Sequence, residues 1–193
     1  MKNSKQKTKS NLRNRSNYVR TIAMTGLLIA LSVTIGWLCK TYLTFGPIRV
    51  TFENIPVIIS GIIYGPVVGI VVGVLSDIVS CLTSPNPALN PIIMLGAATI
   101  GALSGIIPRY IIKSGEILKV WISVFASHII GSMIIKSIGL HVFFKYGFEL
   151  LVWRIPLYVG IAICESIIIY AILKNKNIKK MLGKQIQDKG NAI

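Results

Sequence analysis

Long apolar runs, separated by short polar or proline-containing breaks, fill the chain between Tyr18 and Leu173. A membrane-spanning helix needs about 20 mostly apolar residues. The runs therefore predict an all-α membrane protein, a compact bundle of six transmembrane helices. The predicted helices cover about residues 19–39, 50–64, 66–82, 91–112, 117–140 and 150–173.

Turn-forming residues define the breaks between these helices. The apolar run from Val50 to Leu82 is too long for one span, and Gly65-Pro66 divides it into two helices. Residues 83–91 contain three prolines and predict a loop, and residues 113–116 predict a turn. All predicted loops are short, which leaves no room for a soluble catalytic domain.

The composition supports integral membrane character. Only 14% of the residues are charged, against about 25% in a typical soluble domain. The net charge of +15 is concentrated at the ends, with seven of the 21 cations in residues 1–20 and six in residues 174–193. No nucleic-acid-binding motif accompanies this charge, so we read it as flanking a membrane domain. The predicted organisation is a basic tail (1–18), a six-helix substrate-binding domain (19–173) and a second basic tail (174–193).

The positive-inside rule predicts the orientation. Six spans place both tails on one side, and that side also receives Arg109, Lys113 and Lys119. It then holds 16 cations and the opposite side five. We therefore expect both termini to be cytoplasmic.

Ionisable residues interrupt the apolar runs. Asp77, Lys136, Arg154 and Glu165 lie inside them, and Arg49 precedes one. Such groups are costly in a bilayer and usually face a bundle interior or a wet cavity. The topology places most polar and aromatic candidates at one depth, just below the external face. The predicted substrate-binding residues are Arg49, Phe52, Asn54, Asp77, Asn90, Lys136, Trp153, Arg154 and Tyr158.

A cavity with this lining has defined chemical preferences. Arg49, Lys136 and Arg154 suit an anionic ligand, and an ionised Asp77 accepts hydrogen bonds from N–H groups. A ligand that combines a heteroaromatic ring with a carboxylate tail would use these groups and the aromatic side chains. Flat surfaces for an aromatic ring come from Trp37, Tyr42, Phe45, Phe52, Trp153 and Tyr158.

Each candidate also has a purely structural interpretation. Asp77 could pair with Lys136 or Arg154 only to keep the bundle neutral. Arg49 and Lys136 could extend to the membrane interface, and the aromatic residues could form an interfacial belt. Asn90 could serve only as the cap of the fourth helix. Glu165 lies deeper, where it could bond His128 or a helix hydroxyl, and we do not place it in the site.

The chain lacks the signatures of an enzyme or of an energy source. It contains no zinc-protease, nucleophile-elbow or phosphate-loop motif, and its cysteines lack metal-ligand spacing. We therefore predict no catalytic activity, no cofactor and no metal. Without a nucleotide-binding motif or an obvious inverted repeat, the chain has the character of the binding part of a larger assembly.

Several stretches together resemble one family of transport proteins. The chain resembles the substrate-binding S components of energy-coupling factor (ECF) vitamin transporters, and most closely their folate-specific members. The likeness covers about residues 20–173. The segments that carry it are Ile48–Pro56, Ser60–Pro66, Gly73–Asp77, Asn90-Pro91, Leu95–Ala98, Ser127–Gly131 and Trp153–Pro156.

The resemblance implies a function and partners. It implies a folate-binding subunit of a bacterial plasma membrane, which assembles with a membrane T component and two ATPase subunits. An Ala-xxx-Ala contact of the family's first helix with the T component corresponds here to Gly26 and Ala30. Two alternatives stay open: an S component for another small molecule, such as riboflavin, thiamine or a queuosine precursor, and a membrane scaffold without a ligand.

Overall fold

The computed structural model describes residues 2–45, 48–84, 87–112 and 115–175. Within these ranges the chain forms six continuous helical segments and one short hairpin. Two segments contain π-helical turns: α4 continues as Ile107–Ile111, and His128–Ile135 joins α5 to α6. The α-helices are α1 (Lys2–Tyr42), α2 (Asn54–Tyr64), α3 (Pro66–Leu82), α4 (Pro91–Ile106), α5 (Glu116–Ser127), α6 (Lys136–Phe144) and α7 (Phe148–Lys174).

The all-α prediction is confirmed, with three differences in helix bounds. Helix α1 begins at Lys2 rather than near residue 19, since lysine, arginine and glutamine favour a helix outside the apolar region as well. Helix α2 begins at Asn54 rather than 50, because β1 (Thr44–Phe45) and β2 (Ile48–Arg49) pair as an antiparallel hairpin before it. The α5–α6 segment (Glu116–Phe144) ends four residues later than predicted.

Four segments are long and apolar enough to cross a bilayer: Tyr18–Tyr42, Pro91–Ile111, Glu116–Phe144 and Val152–Lys174. Helices α2 and α3 are apolar but shorter, with 11 and 17 residues. At about 1.5 Å per residue, α2 covers roughly 16 Å, about half of a hydrocarbon core. The count of six complete spans therefore stays a prediction.

Helices α2, α3 and α4 form the close-packed part of the bundle. Ile58, Val72 and Ile100 are fully buried between them. Small residues allow the close approach, because a side chain at Gly69 or Gly101 would collide with the facing backbone. Gly65 joins α2 to α3 with φ +106°, a conformation that glycine adopts readily and that lets Pro66 open the next helix.

The direction of each helix brings one set of ends together. Helices α1 and α3 end, and α4 and α7 begin, at the end of the bundle opposite Tyr18 and Lys174. The polar residues of those helix ends therefore meet at one depth, as predicted from the order of the helices.

Candidate functional site

A cavity of about 340 Å³ opens at this end of the bundle. Helices α1, α3, α4, α6 and α7 and the connections between them contribute to its wall. Its described polar lining consists of Lys40, Thr51, Glu53, Asp77, Ser80, Ser84, Asn90, Lys136, Tyr146, Arg154 and Tyr158.

Five of the nine predicted binding residues line this one cavity: Asp77, Asn90, Lys136, Arg154 and Tyr158. A sixth, Asn54, lines a recess of about 20 Å³ that shares Asp77 and Lys136 with the main cavity. Asp77 and Arg154 thus face the same space rather than opposite sides of the bundle. Their role toward a ligand stays a prediction.

Two of the remaining predicted residues, Phe52 and Trp153, are not among the described residues of this lining. Phe52 packs against the apolar core. Trp153 is 65% exposed and is absent from the described wall of the cavity, so its predicted place in the site needs correction. Successive residues of a helix point about 100° apart, and the inward position of Arg154 turns its neighbour outward. Arg49 lies in β2, and its side chain falls outside the described part of the structure.

Arg154 is held in a defined position. Its Nη1 donates to the Ser137 hydroxyl and its Nη2 to the Tyr158 hydroxyl, both at 3.0 Å. The guanidinium carbon also lies 5.1 Å from the centre of the Tyr158 ring, within the range of a cation–π contact. These bonds use two of the five N–H donors of an arginine, so the group retains the capacity to bind an anion.

Lys136 is buried, with only 8% of its surface exposed. It begins α6, and its stem passes over Gly96, where an added Cβ would come within 2.6 Å of Lys136 Cγ. The interpretation that Lys136 extends to the membrane interface is therefore wrong. Its side chain borders both the cavity and the recess beneath it.

Lys40 is a cavity residue that sequence reasoning missed. Its ammonium group donates to the Ser80 carbonyl at 2.8 Å and to the Ser80 and Ser84 hydroxyls at 2.9 Å. These bonds join the end of α1 to the end of α3. Because a lysine at the end of a spanning helix is ordinary, the sequence marked Lys40 only as one of the outer cations.

The charges of the described lining do not cancel. Lys40, Lys136 and Arg154 stand against Glu53 and Asp77, an excess of one positive charge if all are ionised. An uneven field in a cavity with low-dielectric walls favours a ligand of the opposite sign. The lining therefore suits an anionic ligand that also carries hydrogen-bond donors for the carboxylates.

Asn90 serves the fold as well as the cavity wall. Its Oδ1 accepts from the backbone N–H groups of Ile92 at 2.9 Å and Ile93 at 3.4 Å and so caps α4. Its Nδ2 donates to the Gly139 carbonyl at 3.1 Å, which joins α4 to α6. The structural interpretation of Asn90 is confirmed, and little of its bonding capacity is left for a ligand.

Below the cavity lies a buried pair of ionisable residues. His128 Nε2 is 2.6 Å from Glu165 Oε2, and the two residues are 1% and 0% exposed. Of the two partners that the sequence left open for Glu165, His128 or a helix hydroxyl, the structure shows His128. The described cavity wall includes neither residue.

Gly26 and Ala30, the predicted partner contact, are exposed on α1. A Cβ added at Gly26 would meet no atom within 4 Å. This face of α1 is therefore open within the described chain.

Comparisons with known proteins agree with the fold. Nine solved chains match it. One is a crystal structure of FolT bound with folic acid, which is 22% identical, with 79% of this chain and 92% of that chain covered and a TM-score of 0.66. At this identity the likeness shows the fold alone. No curated protein sequence matches the chain.

A family model places the chain more firmly. The model described as "ECF transporter, substrate-specific component" matches residues 20–186, most of the chain. Members of this family are substrate-binding transport subunits of membranes and not enzymes. The chain therefore belongs to the family of ECF transporter substrate-specific components.

Proposed function

We propose that this chain is the folate-binding S subunit of an ECF-type ABC importer. It binds folate with high affinity at an outward-facing site and releases it across the membrane when coupled to a T component and two ATPase subunits. The observation that carries this proposal is the single cavity that Asp77 and Arg154 line together. A scaffold without a ligand would have no need for such a cavity.

The chemistry of folate fits the lining. Its pterin ring carries N–H donors for Asp77, and its glutamate carries carboxylates for Arg154 and Lys136. Tyr158 offers an aromatic surface to the rings. The volume of about 340 Å³ lies within the range of about 300–1,000 Å³ for small-molecule sites. The structure of FolT with folic acid, which shares this fold, supports the same ligand.

The arrangement of the helices supports the outward orientation. The start of α1 and the end of α7 lie at the same end of the bundle, and both carry basic sequence. The positive-inside rule assigns that end to the cytoplasm of a bacterial cell, which directs the cavity to the exterior. We place all six helical segments across the plasma membrane. The open face of α1 around Gly26 and Ala30 is the surface that we assign to the T component.

Ligand-dependent thermal unfolding of the purified chain tests the proposal. Folic acid, riboflavin, thiamine and a queuosine precursor are added separately at equal concentration. We expect folic acid alone to raise the unfolding temperature, because a ligand at about 100 times its Kd stabilises the native state by about 2.7 kcal/mol. Stabilisation by another compound instead would overturn folate but keep the S-subunit role. No stabilisation by any of the four would contradict the proposed ligand class.

A further inference from the structure

A chain of polar and aromatic contacts leads from the interior of the bundle to the cavity. Glu165 meets His128 at 2.6 Å, and the His128 ring packs against the Tyr158 ring with centroids 5.8 Å apart. The Tyr158 hydroxyl accepts from Arg154 Nη2 at 3.0 Å. Arg154 and Tyr158 line the cavity, whereas the described wall does not include His128 or Glu165.

Burial of the His128–Glu165 pair costs free energy. Glu165 and His128 are almost completely buried among apolar helices, and Glu165 Oε1 has no hydrogen-bond partner among the described residues. Two well-packed apolar side chains are often at least as stable as a buried pair of ionisable groups. Ionisable groups at membrane depth usually serve function, so stability alone does not account for this pair.

The local backbone explains what the pair could contribute. Pro156 lies inside α7 between Arg154 and Tyr158, and a proline cannot donate the helical hydrogen bond to the preceding turn. His128 begins the π-helical stretch His128–Ile135, a backbone form that occurs mostly at functional positions. Helix α7 thus lacks one backbone donor near Arg154, the facing segment is π-helical, and His128 contacts Tyr158 and Glu165 between these two positions.

The spacing of these residues along α7 allows them to contact one another. Arg154, Tyr158 and Glu165 follow at intervals of four and seven residues, which places them on one face of the helix. His128 reaches this face from the neighbouring segment and contacts both Tyr158 and Glu165. Ser132 Oγ lies 3.3 Å from His128 Nδ1, so both ring nitrogens have a neighbour that orients the ring.

We propose that Glu165 and His128 are positioning residues that hold the Tyr158 ring and, through it, the Arg154 guanidinium in the geometry that receives the ligand. The pair does not touch the ligand itself. Naming folate as that ligand rests on the proposed function, whereas the effect on Arg154 is independent of the ligand's identity.

The first experiment needs no ligand. The order parameter of the Arg154 Nε–H group is measured by NMR on the full chain in lipid nanodiscs. The variant His128→Leu/Glu165→Leu replaces the pair by apolar residues and avoids leaving one buried charge unpaired. We expect it to fold with an unfolding temperature no lower than that of the wild type, but with a mobile Arg154 side chain. A folded variant with Arg154 as rigid as in the wild type would overturn the proposal.

Two further variants separate positioning from packing and from charge. Glu165→Gln keeps the shape and an oxygen that accepts from His128, so Arg154 should stay rigid. If Arg154 in this variant is as mobile as in the double variant, the charge of Glu165 and not its contact with His128 would be what matters. That result would overturn the positioning role. Ser166→Ala is the matched control, because Ser166 is equally buried beside Glu165 but donates to the Ala162 carbonyl of its own helix. It should leave Arg154 unchanged.

The second experiment measures folic acid binding to the same variants. Replacement of the pair should weaken binding about tenfold, and in an Arg154→Lys background by less than about twofold, since contacts that act through one residue are not additive. Equal losses in both backgrounds would overturn the proposal. If the wild type binds no folic acid, the proposed ligand is wrong, and the Arg154 order parameters alone decide the positioning role.

Discussion

One end of this bundle is closely packed and apolar, whereas the other end contains a cavity lined by charged side chains. At the end formed by α2, α3 and the second half of α4, helix backbones touch through glycine, and apolar side chains such as Ile58 and Ile100 have no exposed surface. At the other end, five charged side chains of the described residues line an open cavity of about 340 Å³. Close packing supplies stability where the helices meet, while the hollow end keeps polar groups that a bundle selected only for stability would replace.

Hydrogen bonds between helices stabilise the end of the bundle that contains the cavity. Lys40 bonds the end of α3, Asn90 caps α4 and reaches α6, and Arg154 bonds Ser137 of α6. These hydrogen bonds join side chains of one helix to groups of another. The polar residues of the cavity therefore also connect the helices that form its walls.

The largest expected effect comes from filling the closest helix contact. Gly101→Leu adds a side chain where the Gly69 backbone already lies, so it should lower the free energy of unfolding by about 3 kcal/mol or prevent folding. Thermal unfolding of the purified chain measures the change. Gly160→Leu is the matched control, because an added Cβ there meets no atom within 4 Å. Equal free energies of unfolding for the two variants would show that the close glycine contact is not important for stability.

The next effect concerns transport rather than folding. Ala30→Trp places a large ring on the open face of α1, so it should abolish uptake while ligand binding by the isolated chain stays unchanged. Uptake of labelled folic acid by cells that express the complete transporter measures this, with Ala30→Gly as the small-residue control. Normal co-purification of the Ala30→Trp chain with the T component would count against the assigned surface.

Substitutions in the hollow end should affect binding more than stability. Asp77→Ala and Arg154→Ala should each weaken folate binding at least about tenfold, since a hydrogen bond to a charged group contributes roughly 1.5–3 kcal/mol. Isothermal titration measures the affinities. Trp153→Ala, next to Arg154 but 65% exposed, should bind like the wild type. A loss at Trp153 as large as at Arg154 would contradict the placement of the two side chains.

The smallest expected effect tests whether Asn90 contributes mainly to stability or to ligand binding. Asn90→Ala removes the cap of α4 and should cost about 1 kcal/mol of stability, with less than about a threefold change in folate affinity. Asn90→Asp retains the capping oxygen but loses the donation to the Gly139 carbonyl, so it should recover only the capping part of that stability. Chemical denaturation and titration of both variants measure the two quantities. If Asn90→Ala changes the free energy of folate binding more than the free energy of unfolding, Asn90 serves mainly to bind the ligand.

Helix positions followed closely from the pattern of apolar runs. Gly65-Pro66 predicted the bounds of α3 correctly, because a positive-φ glycine followed by proline ends one helix and opens the next. The start of α1 was placed too late, since hydropathy marks where a helix enters the membrane and not where the helix begins. The hairpin before α2 was missed because two-residue strands leave almost no periodic signal.

The candidate site was only partly predictable. Asp77, Lys136 and Arg154 stood out because charged residues are rare in apolar runs. Lys40 did not stand out, because its position at a helix end is common for lysine. Trp153 was placed in the site by its residue type, although the rotation of α7 turns it away from the cavity.

The order of residues is enough to show that the chain forms apolar helices, where most of them begin and end, and that a few charged groups must be sheltered among them. Hydropathy and turn chemistry are local properties and act before any helix meets another. The packing of the helices sets which side chains share the cavity, that Lys40 is one of them, and that Glu165 contacts His128. Those outcomes depend on helix rotation and on contacts between residues far apart in the chain, and a difference of one residue along a helix is enough to reverse them.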